Sequence, residues 1–292
     1  MHIRQTHFRS ILGLATATIL LSAHAAAAPV PIANPGFEAD FAENGTFPTG
    51  PVTGWPAYDP FNLIPLSGNA TGVINPTGST FFLGDAPEGR NAALVFLNGS
   101  IGAGPVGLRQ FPGIDLEADT VYTLTVEVGN IASGTGLPPF DSFGFFDLDG
   151  FPGYSVQILA NGVVLGEDFN LLEIPEGEFR TSTVTAQVGP ESLLLDFPIE
   201  IRLINLNTQD TPESPGIEVD FDDVRFDASP SQPQACNPAD LVPPLGVLDL
   251  TDINAFVAGF IAQDPAADIQ PDGVFDLADI NAFVSAFTAG CP

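Results

Sequence analysis

Residues 217–223 carry acidic side chains at alternate positions, the spacing at which side chains of one β-strand share a face. Glu218, Asp220 and Asp222 would therefore be only about 7 Å from one another along a strand. Carboxylates this close repel one another unless a cation neutralises them or one of them stays protonated with a raised pKa. The segment predicts a metal site or a buried acid, with a solvent-exposed acidic face as the alternative.

A second acidic segment has the spacing of a twelve-residue calcium loop. Oxygen ligands recur at alternate positions, a glycine stands where the turn requires one, and an amphipathic helix pattern follows directly. This loop predicts a Ca²⁺ site with the ligands Asp268, Gln270, Asp272, the carbonyl of Val274, Asp276 and Asp279.

The calcium loop belongs to an internal repeat, because residues 246–260 recur as residues 273–287. Each copy continues with apolar residues at i, i+3, i+4 and i+7, which predicts a helix. In the first copy Asp249 and Asp252 match the last two ligand positions, and Asp240 is a candidate for the first. The residues between supply no side-chain ligand and the loop is one residue longer, so calcium binding there is left open.

The residue inventory excludes several kinds of catalysis. His2, His7 and His24 all lie near the N-terminus, and the chain contains no lysine. The rest of the chain therefore cannot use a Ser-His-Asp triad, a lysine Schiff base or a histidine-ligated zinc. Any catalysis must use carboxylates, tyrosine, arginine, backbone amides or a bound metal. The formal net charge of −29 argues against nucleic acid and anionic membranes as partners.

The N-terminal segment is typical of a secretory signal peptide. Two arginines precede the apolar run Ile11–Leu21, and small residues follow it. We predict a signal peptide over residues 1–28, with cleavage after about Ala25 or Ala28, and no membrane span in the rest of the chain. The sequence thus predicts a secreted, extracellular protein.

Secretion also bears on the two cysteines, Cys236 and Cys291, because disulfides persist in oxidising compartments. We predict that they form a disulfide that ties together the ends of a C-terminal module, residues 236–292. The Ser- and Pro-containing stretch 229–235 is predicted to be a linker.

Residues 29–228 show the alternation of apolar and polar residues that is typical of half-buried strands, for example over residues 122–128, 154–158 and 199–203. Glycine- and proline-rich clusters separate these segments. The pattern predicts a mainly β fold, an antiparallel two-sheet sandwich, followed by a small α-helical, EF-hand-like module.

The tandem calcium loops, bracketed by cysteines and ending in Ala-Gly-Cys-Pro, resemble type I dockerins. The resemblance covers residues 236–292. It implies docking to a cohesin-like protein or attachment to the cell surface.

Two segments of the preceding domain resemble the calcium-binding jelly rolls of the galactose-binding-like class, which includes many carbohydrate-binding modules. They are NPGFEADF at residues 34–41 and VDFDDVRF at residues 219–226. The resemblance implies a jelly-roll sandwich with a structural Ca²⁺ held by Glu38 and Asp222.

A narrower resemblance covers residues 30–228. The segments 54–65, 116–130, 151–162, 174–179, 199–207 and 219–226 are similar to the Stig cyclases. Those are calcium-dependent enzymes that rearrange and cyclise a prenylated indole, with a buried carboxylic acid as proton donor in an aromatic pocket. The resemblance implies that Asp220 is this acid. The pocket tyrosine of those enzymes would fall in residues 92–99, where this chain has none. We predict a ligand pocket lined by Trp55, Phe82, Phe96, Phe145, Phe146 and Phe151.

Two functions follow from these observations. The first is a secreted, calcium-dependent binding or structural module displayed through the dockerin-like module, with a polysaccharide as its ligand. The second is a cyclase-like enzyme that takes a small apolar ligand and uses Asp220 as general acid. The missing histidine and lysine, the anchoring module and the missing pocket tyrosine favour the first.

Overall fold

The computed structural model describes residues 27–66, 68–98, 104–207, 216–231 and 235–291. It confirms a mainly β fold in which two antiparallel sheets face each other, with two helices at the C-terminal end. The first sheet contains, in spatial order, β11 (Glu178–Val188), β6 (Thr120–Asn130), β13 (Gly216–Pro230), β4 (Ala92–Asn98) and β3 (Ala70–Ile74), with β1 (Ala28–Pro29) paired to β13.

The second sheet has five strands. In spatial order they are β10 (Val163–Phe169), β9 (Tyr154–Ala160), β12 (Ile199–Asn205), β5 (Val106–Gln110) and β2 (Ala57–Tyr58). A separate two-stranded hairpin pairs β7 (Gly134–Thr135) with β8 (Phe145–Phe146), and it belongs to a long connection outside the sandwich.

The main core lies between the two sheets, as the period-two pattern predicts. Leu124, Val126 and Val128 of β6 are fully buried there, and Val156 and Ile158 of β9 belong to the same core. The first sheet is covered on both faces. One face packs against the second sheet, and long connections cover the outer face, which in a simple sandwich would be exposed to solvent. A second apolar cluster fills the space beneath them, with the buried members Ile74, Phe81, Phe82, Ala92, Leu94, Ile131 and Leu148.

The structure adjusts the predicted boundaries of this domain. β13 pairs with β6 as far as Pro230, so the strand extends two residues into the predicted linker. At the other end Ala28 pairs with Ala228, within the predicted signal peptide, while residues 1–26 lie outside the described residues. Within the described part of the chain, no helix is long and apolar enough to cross a membrane.

The C-terminal segment forms α1 (Leu250–Ala262) and α2 (Leu277–Ala289), one after each acidic loop. Each helix begins with an Asp-based capping box, in which Asp249 or Asp276 is the N-cap and pairs with the aspartate three residues later. The helices pack through Phe256 and Phe283, whose stacked rings have centroids 4.1 Å apart. The predicted disulfide between Cys236 and Cys291 is present.

Candidate active site

A cavity of about 440 Å³ lies on the outer face of the first sheet. Its floor is a cross-strand row formed by Ala70 of β3, Phe96 of β4 and Glu218 of β13, which the strand register places side by side. Ile74 and Leu94 extend this floor. The volume falls in the range of small-molecule sites, about 300–1,000 Å³.

Aromatic side chains form the walls and roof of the cavity. The segment that holds the β7–β8 hairpin contributes Phe140, Phe143 and Phe146, and Phe47 and Phe81 come from earlier connections. Phe47 contacts the rings of Phe81 and Phe146 edge-on, with centroids 5.7 and 5.4 Å away. Phe143 is largely exposed, whereas Phe81 is buried, so Phe143 lies at the solvent-facing end. Such a lining excludes water and favours a flat, apolar ligand.

The three alternate carboxylates of β13 are all buried, on the face that carries the cavity. Glu218 is 7% exposed, and Asp220 and Asp222 are fully buried. The sequence pattern alone is equally compatible with a solvated acidic face, but the connections above the first sheet cover these positions. The intervening residues Val219 and Phe221 point into the main core, so β13 is buried on both faces.

Burial shifts the protonation of these carboxyls. It raises the pKa of Glu218 from 4.5 to about 7. Burial and the neighbouring charge of Glu218 raise the pKa of Asp220 well above its usual range. Burial also raises the pKa of Asp222 to about 8, although hydrogen bonds from the backbone N–H groups of Glu88 and Asp223 oppose the shift. Charged forms are disfavoured because the apolar surroundings remove their hydration.

Asp220 lies beside the cavity rather than on its surface. Its cross-strand neighbours are Leu94 on β4 and Gly129 on β6, and Phe179 of β11 pairs with Gly129 on the far side. The carboxyls of Asp220 and Glu218 are within hydrogen-bonding reach of each other, and no other group of the described residues donates to Asp220 or to Oε1 of Glu218. The two carboxyls influence each other's pKa, so they form a buried pair with one member, Glu218, on the cavity.

Glu38 and Asp222 both accept hydrogen bonds from the same connection, residues 85–91. Oε1 of Glu38 accepts hydrogen bonds from the backbone N–H groups of Arg90 and Asn91, at 2.6 and 2.7 Å. Oδ2 of Asp222 accepts one from the backbone N–H of Glu88, at 2.8 Å. The first acidic residue of the domain and the last strand are thus joined through one loop.

The predicted pocket residues divide into two groups. Phe96 and Phe146 line the cavity. The other four do not, and the prediction is corrected for them. Trp55 is fully buried in the main core, where its ring packs against Phe37 and its Nε1–H donates to the carbonyl of Asn34. A buried indole of this kind cannot form a platform for a sugar.

The three remaining phenylalanines have other surroundings. Phe82 is buried against Phe179, with stacked rings 4.6 Å apart. Phe145 is 69% exposed, because it alternates with the inward-facing Phe146 on the two-residue strand β8. Phe151 packs against the main core beside Tyr154.

The sequence analysis missed much of the lining. Phe47, Phe81 and Phe140 lie in connections without periodicity, so only tertiary structure brings them together. The sequence did contain a signal for Glu218 as a site residue, because it shares a strand face with Asp220. The structure adds that Glu218 is paired with Phe96 on β4.

The two C-terminal loops have closely similar hydrogen bonding. Asp268 accepts from the backbone N–H of Gly273, and Asp240 accepts from that of Gly246, the equivalent glycine of the first copy. Asp240 therefore has the same hydrogen-bonding position in its loop as Asp268 has in the second loop. Asp279 and Asp252 each accept from their own N-cap backbone and from the start of their loop.

The carboxylates of these loops are turned toward their own backbone. Among the described residues, the one group of three or more potential metal-ligand atoms within 4.8 Å of one another is Cys236, Asp240 and Cys291. Its sulfurs are joined in the disulfide, so they offer no thiolate to a metal.

The HpiC1-like family, described as HpiC1 cyclase, matches residues 28–227, and the chain belongs to this family. An apo-form cyclase from Fischerella sp. is 38% identical, with a TM-score of 0.60, and the match covers 70% of this chain and 98% of that chain.

Two ligand complexes are similarly close. The Stig cyclase Fisc from Fischerella sp. TAU, in complex with (3Z)-3-(1-methyl-2-pyrrolidinylidene)-3H-indole, is 38% identical over 70% of this chain and 100% of that chain, with a TM-score of 0.59. A cyclase from Fischerella sp. TAU bound to 4-(1H-indol-3-yl)butan-2-one is 37% identical over 70% and 98%, with the same TM-score. A comparison with curated proteins finds no significant match. These findings favour the cyclase interpretation over the carbohydrate-binding one.

Proposed function

We propose that the protein is a cyclase that rearranges or cyclises a prenylated indole by proton transfer from a buried carboxylic acid. The observation that carries the proposal is the aromatic cavity that has Glu218 in its floor and Asp220 beside it, in a member of the HpiC1-like family. The indole ligands of the Fischerella sp. TAU cyclases support an indole as the class of substrate.

The walls of the cavity suit a cationic reaction. Protonation of an alkene generates a carbocation, and the faces of aromatic rings attract positive charge. Phe47, Phe81, Phe96 and Phe146 surround the space in which that charge would develop. The exclusion of water by these rings would also protect the cation from hydration.

The proton donor belongs to the pair of buried carboxyls on β13, Glu218 and Asp220. Within this pair, the resemblance to the Stig cyclases implies that Asp220 is the acid. Its complete burial and the neighbouring Glu218 raise the pKa of Asp220 well above its usual range, which favours the protonated form. A neutral carboxylic acid in an apolar site is the form that general acid catalysis requires. Leu94 and Phe96 occupy the strand in which the related enzymes carry a pocket tyrosine, so the acid here lacks a phenolic neighbour from that strand.

We further propose that Ca²⁺ stabilises this domain at Glu38 and Asp222. All the available donors there are oxygens, which suit a hard cation. Asp222 is fully buried, its pKa is raised to about 8, and its neighbours Glu88 and Asp223 add negative charge. A bound cation would offset that repulsion and fix residues 85–91 against β13. Its role would be structural, without a part in proton transfer.

The C-terminal module is proposed to bind Ca²⁺ in its second loop and to attach the secreted protein to a cohesin-like partner or the cell surface. The matching backbone hydrogen bonds of Asp240 and Asp268 support two equivalent loops. Oδ1 of Asp240 is buried without a hydrogen-bond partner among the described residues, which supports a cation in the first loop as well. The exposed apolar side chains Leu250, Val257, Leu277 and Val284 provide a surface for a partner.

The cyclase proposal is tested with 4-(1H-indol-3-yl)butan-2-one as a binding probe and 3-geranylindole as a simple prenylated substrate. We expect calorimetry to detect probe binding and chromatography to detect an isomer of unchanged mass. Asp220→Asn should retain probe binding and lose turnover, whereas the matched control Asp227→Asn, on the same strand but outside the cavity, should behave as the wild type. A wild-type protein that neither binds the probe nor converts the substrate would overturn the proposal.

A further inference from the structure

Among the described residues that line the cavity, Glu218 alone has an ionisable side chain. The other polar group with a comparable reach, the amide of Asn69, is already used. Its Oδ1 accepts from the backbone N–H of Asn98 and its Nδ2 donates to the carbonyl of Leu63. A ligand in the cavity therefore meets Glu218 as its acidic contact, and Thr49 adds a hydroxyl group to the lining.

The surroundings of Glu218 leave its carboxyl available. The residue is more than nine-tenths buried, and the carboxyl of Asp220 is its one side-chain partner among the described residues. The ion pairs of the described arginines are with Glu178, Glu200 and Asp223, and none of them includes Glu218. Two buried carboxyls that have only each other as side-chain partners are costly, so their retention beside the cavity points to a ligand or a proton-transfer role.

Asp220, in contrast, is enclosed. It is fully buried and lies between Leu94 and Gly129, one cross-strand row away from Glu218, and it does not line the cavity. A proton on the Asp220 carboxyl therefore has the Glu218 carboxyl as its neighbour on the side that faces the cavity.

We propose that Glu218 is the catalytic acid–base residue that contacts the substrate, and that Asp220 is a positioning residue that acts through Glu218. The inference rests on the proposed cyclase function and deepens it. It assigns the proton transfer to the one carboxyl that faces the ligand.

The step is a balanced isomerisation. The Glu218 carboxylic acid gives its proton to an alkene carbon of the prenyl chain, which breaks the π bond and leaves a carbocation. An indole ring carbon attacks the cation and forms the new C–C bond. The proton on that ring carbon then returns to the Glu218 carboxylate and restores the aromatic ring, so neither oxidant nor water is consumed.

The protonation equilibrium supports this assignment. Burial raises the pKa of Glu218 to about 7, where both its acid and its base forms are populated at neutral pH. The neighbouring titratable group is Asp220 on the same strand. The residues that line the cavity from β3, from β4 and from the roof are uncharged.

The test compares Glu218→Gln, Glu218→Asp and the exposed control Glu117→Gln, in the full-length, calcium-loaded protein with 3-geranylindole. We expect Glu218→Gln to bind 4-(1H-indol-3-yl)butan-2-one as the wild type does and to lose turnover by about 100-fold or more. Glu218→Asp should retain part of the turnover, because it keeps a carboxylic acid but has a side chain that is one methylene shorter. The wild-type kcat/KM should fall as the pH rises through about 7, because the acid form is lost.

Two results would overturn the assignment. One is a Glu218→Gln variant that turns over at the wild-type rate while Asp220→Asn is inactive, since Asp220 would then act on the substrate directly. The other is a Glu218→Asp variant whose kcat/KM and pH profile equal those of the wild type, which decides the question even if Glu218→Gln fails to fold. Both leave the cyclase function intact, whereas the absence of binding and turnover in the wild type removes the function itself.

Discussion

Asp220 and Gly129 are directly paired across β13 and β6, and the missing side chain of Gly129 makes room for the groups around the acid. A Cβ at position 129 would lie 2.6 Å from the ring of Phe179 and 3.0 Å from Cβ of Asp220. These distances are shorter than van der Waals contact. The glycine thus allows Phe179 to pack close to Asp220 and to keep it from water.

Gly129→Ala should therefore disturb the carboxyl pair. We expect the free energy of unfolding to fall by about 1–3 kcal/mol through overpacking, and turnover to fall with it. Thermal unfolding and turnover of 3-geranylindole measure the two effects. Gly189→Ala is the matched control, because a Cβ there would meet no atom within 4 Å. Equal behaviour of the two variants would contradict the packing described around Asp220.

Filling the cavity should separate ligand binding from stability. Ala70 lies on the floor beside Phe96, so Ala70→Leu would place three additional carbon atoms in the space of the ligand. We expect the affinity for 4-(1H-indol-3-yl)butan-2-one to fall about tenfold or more, a loss of about 1.4 kcal/mol. The melting temperature should change little. Ala57→Leu, on an exposed position of the second sheet, should leave both properties unchanged. Undiminished binding by Ala70→Leu would place the ligand elsewhere.

The raised pKa of Glu218 predicts how stability depends on pH. The folded protein binds the proton of this carboxyl up to about pH 7, whereas the unfolded chain releases it near pH 4.5. The stabilisation is therefore present below pH 4.5 and is lost as the pH rises through about 7. A pKa difference of this size corresponds to a few kcal/mol. At constant calcium, Glu218→Gln should show a smaller loss of stability between pH 5 and 8 than the wild type. Parallel curves for the two proteins would contradict the burial of an ionisable group at this position.

Calcium removal should destabilise both parts of the chain. A cation that binds the native state alone stabilises it, so excess chelator should lower the melting temperature by several degrees. Asp222→Asn should reduce the effect in the sandwich, and Asp268→Asn should reduce it in the C-terminal module. Differential scanning calorimetry with and without chelator measures both. A wild-type melting curve that is identical in the two conditions would exclude the proposed calcium sites.

Reduction of the disulfide should act on the C-terminal module. Cys236 and Cys291 are 55 residues apart in sequence, and a crosslink over such a distance stabilises a fold by about 4 kcal/mol through the unfolded state. We expect Cys236→Ser together with Cys291→Ser to lower the unfolding temperature of the module and to leave probe binding by the sandwich unchanged. A loss of probe binding in this variant would show that the two parts depend on each other.

The sequence predicted the architecture because local patterns determine it. The alternation over residues 122–128 fixes which face of β6 enters the core, and the repeat at 246–260 and 273–287 fixes the two helices. The alternation around Asp220 correctly predicted a shared strand face, and it favoured a metal site or a buried acid but left a solvated face open. Alternating acidic residues are also typical of a solvated face, and the covering segments belong to distant parts of the chain.

The cavity was less predictable for the same reason. Phe96 and Phe146 were identified, but Phe47, Phe81 and Phe140 lie in connections that carry no periodic signal. Trp55 was misplaced because a single tryptophan in a turn suits a ligand platform and a core position equally well. The structure decides between them by packing its ring against Phe37.

Solvent deuterium provides the most direct test of the central proposal, that the cavity on the carboxyl pair carries out a proton-initiated cyclisation. The calcium-loaded protein is incubated with 3-geranylindole in D₂O, and the product is examined by mass spectrometry and NMR. The account predicts a cyclised isomer with one deuterium on a carbon of the former prenyl chain, and none of this product with Glu218→Gln. Recovery of unchanged, undeuterated substrate from a wild-type protein that binds the indole probe would contradict it.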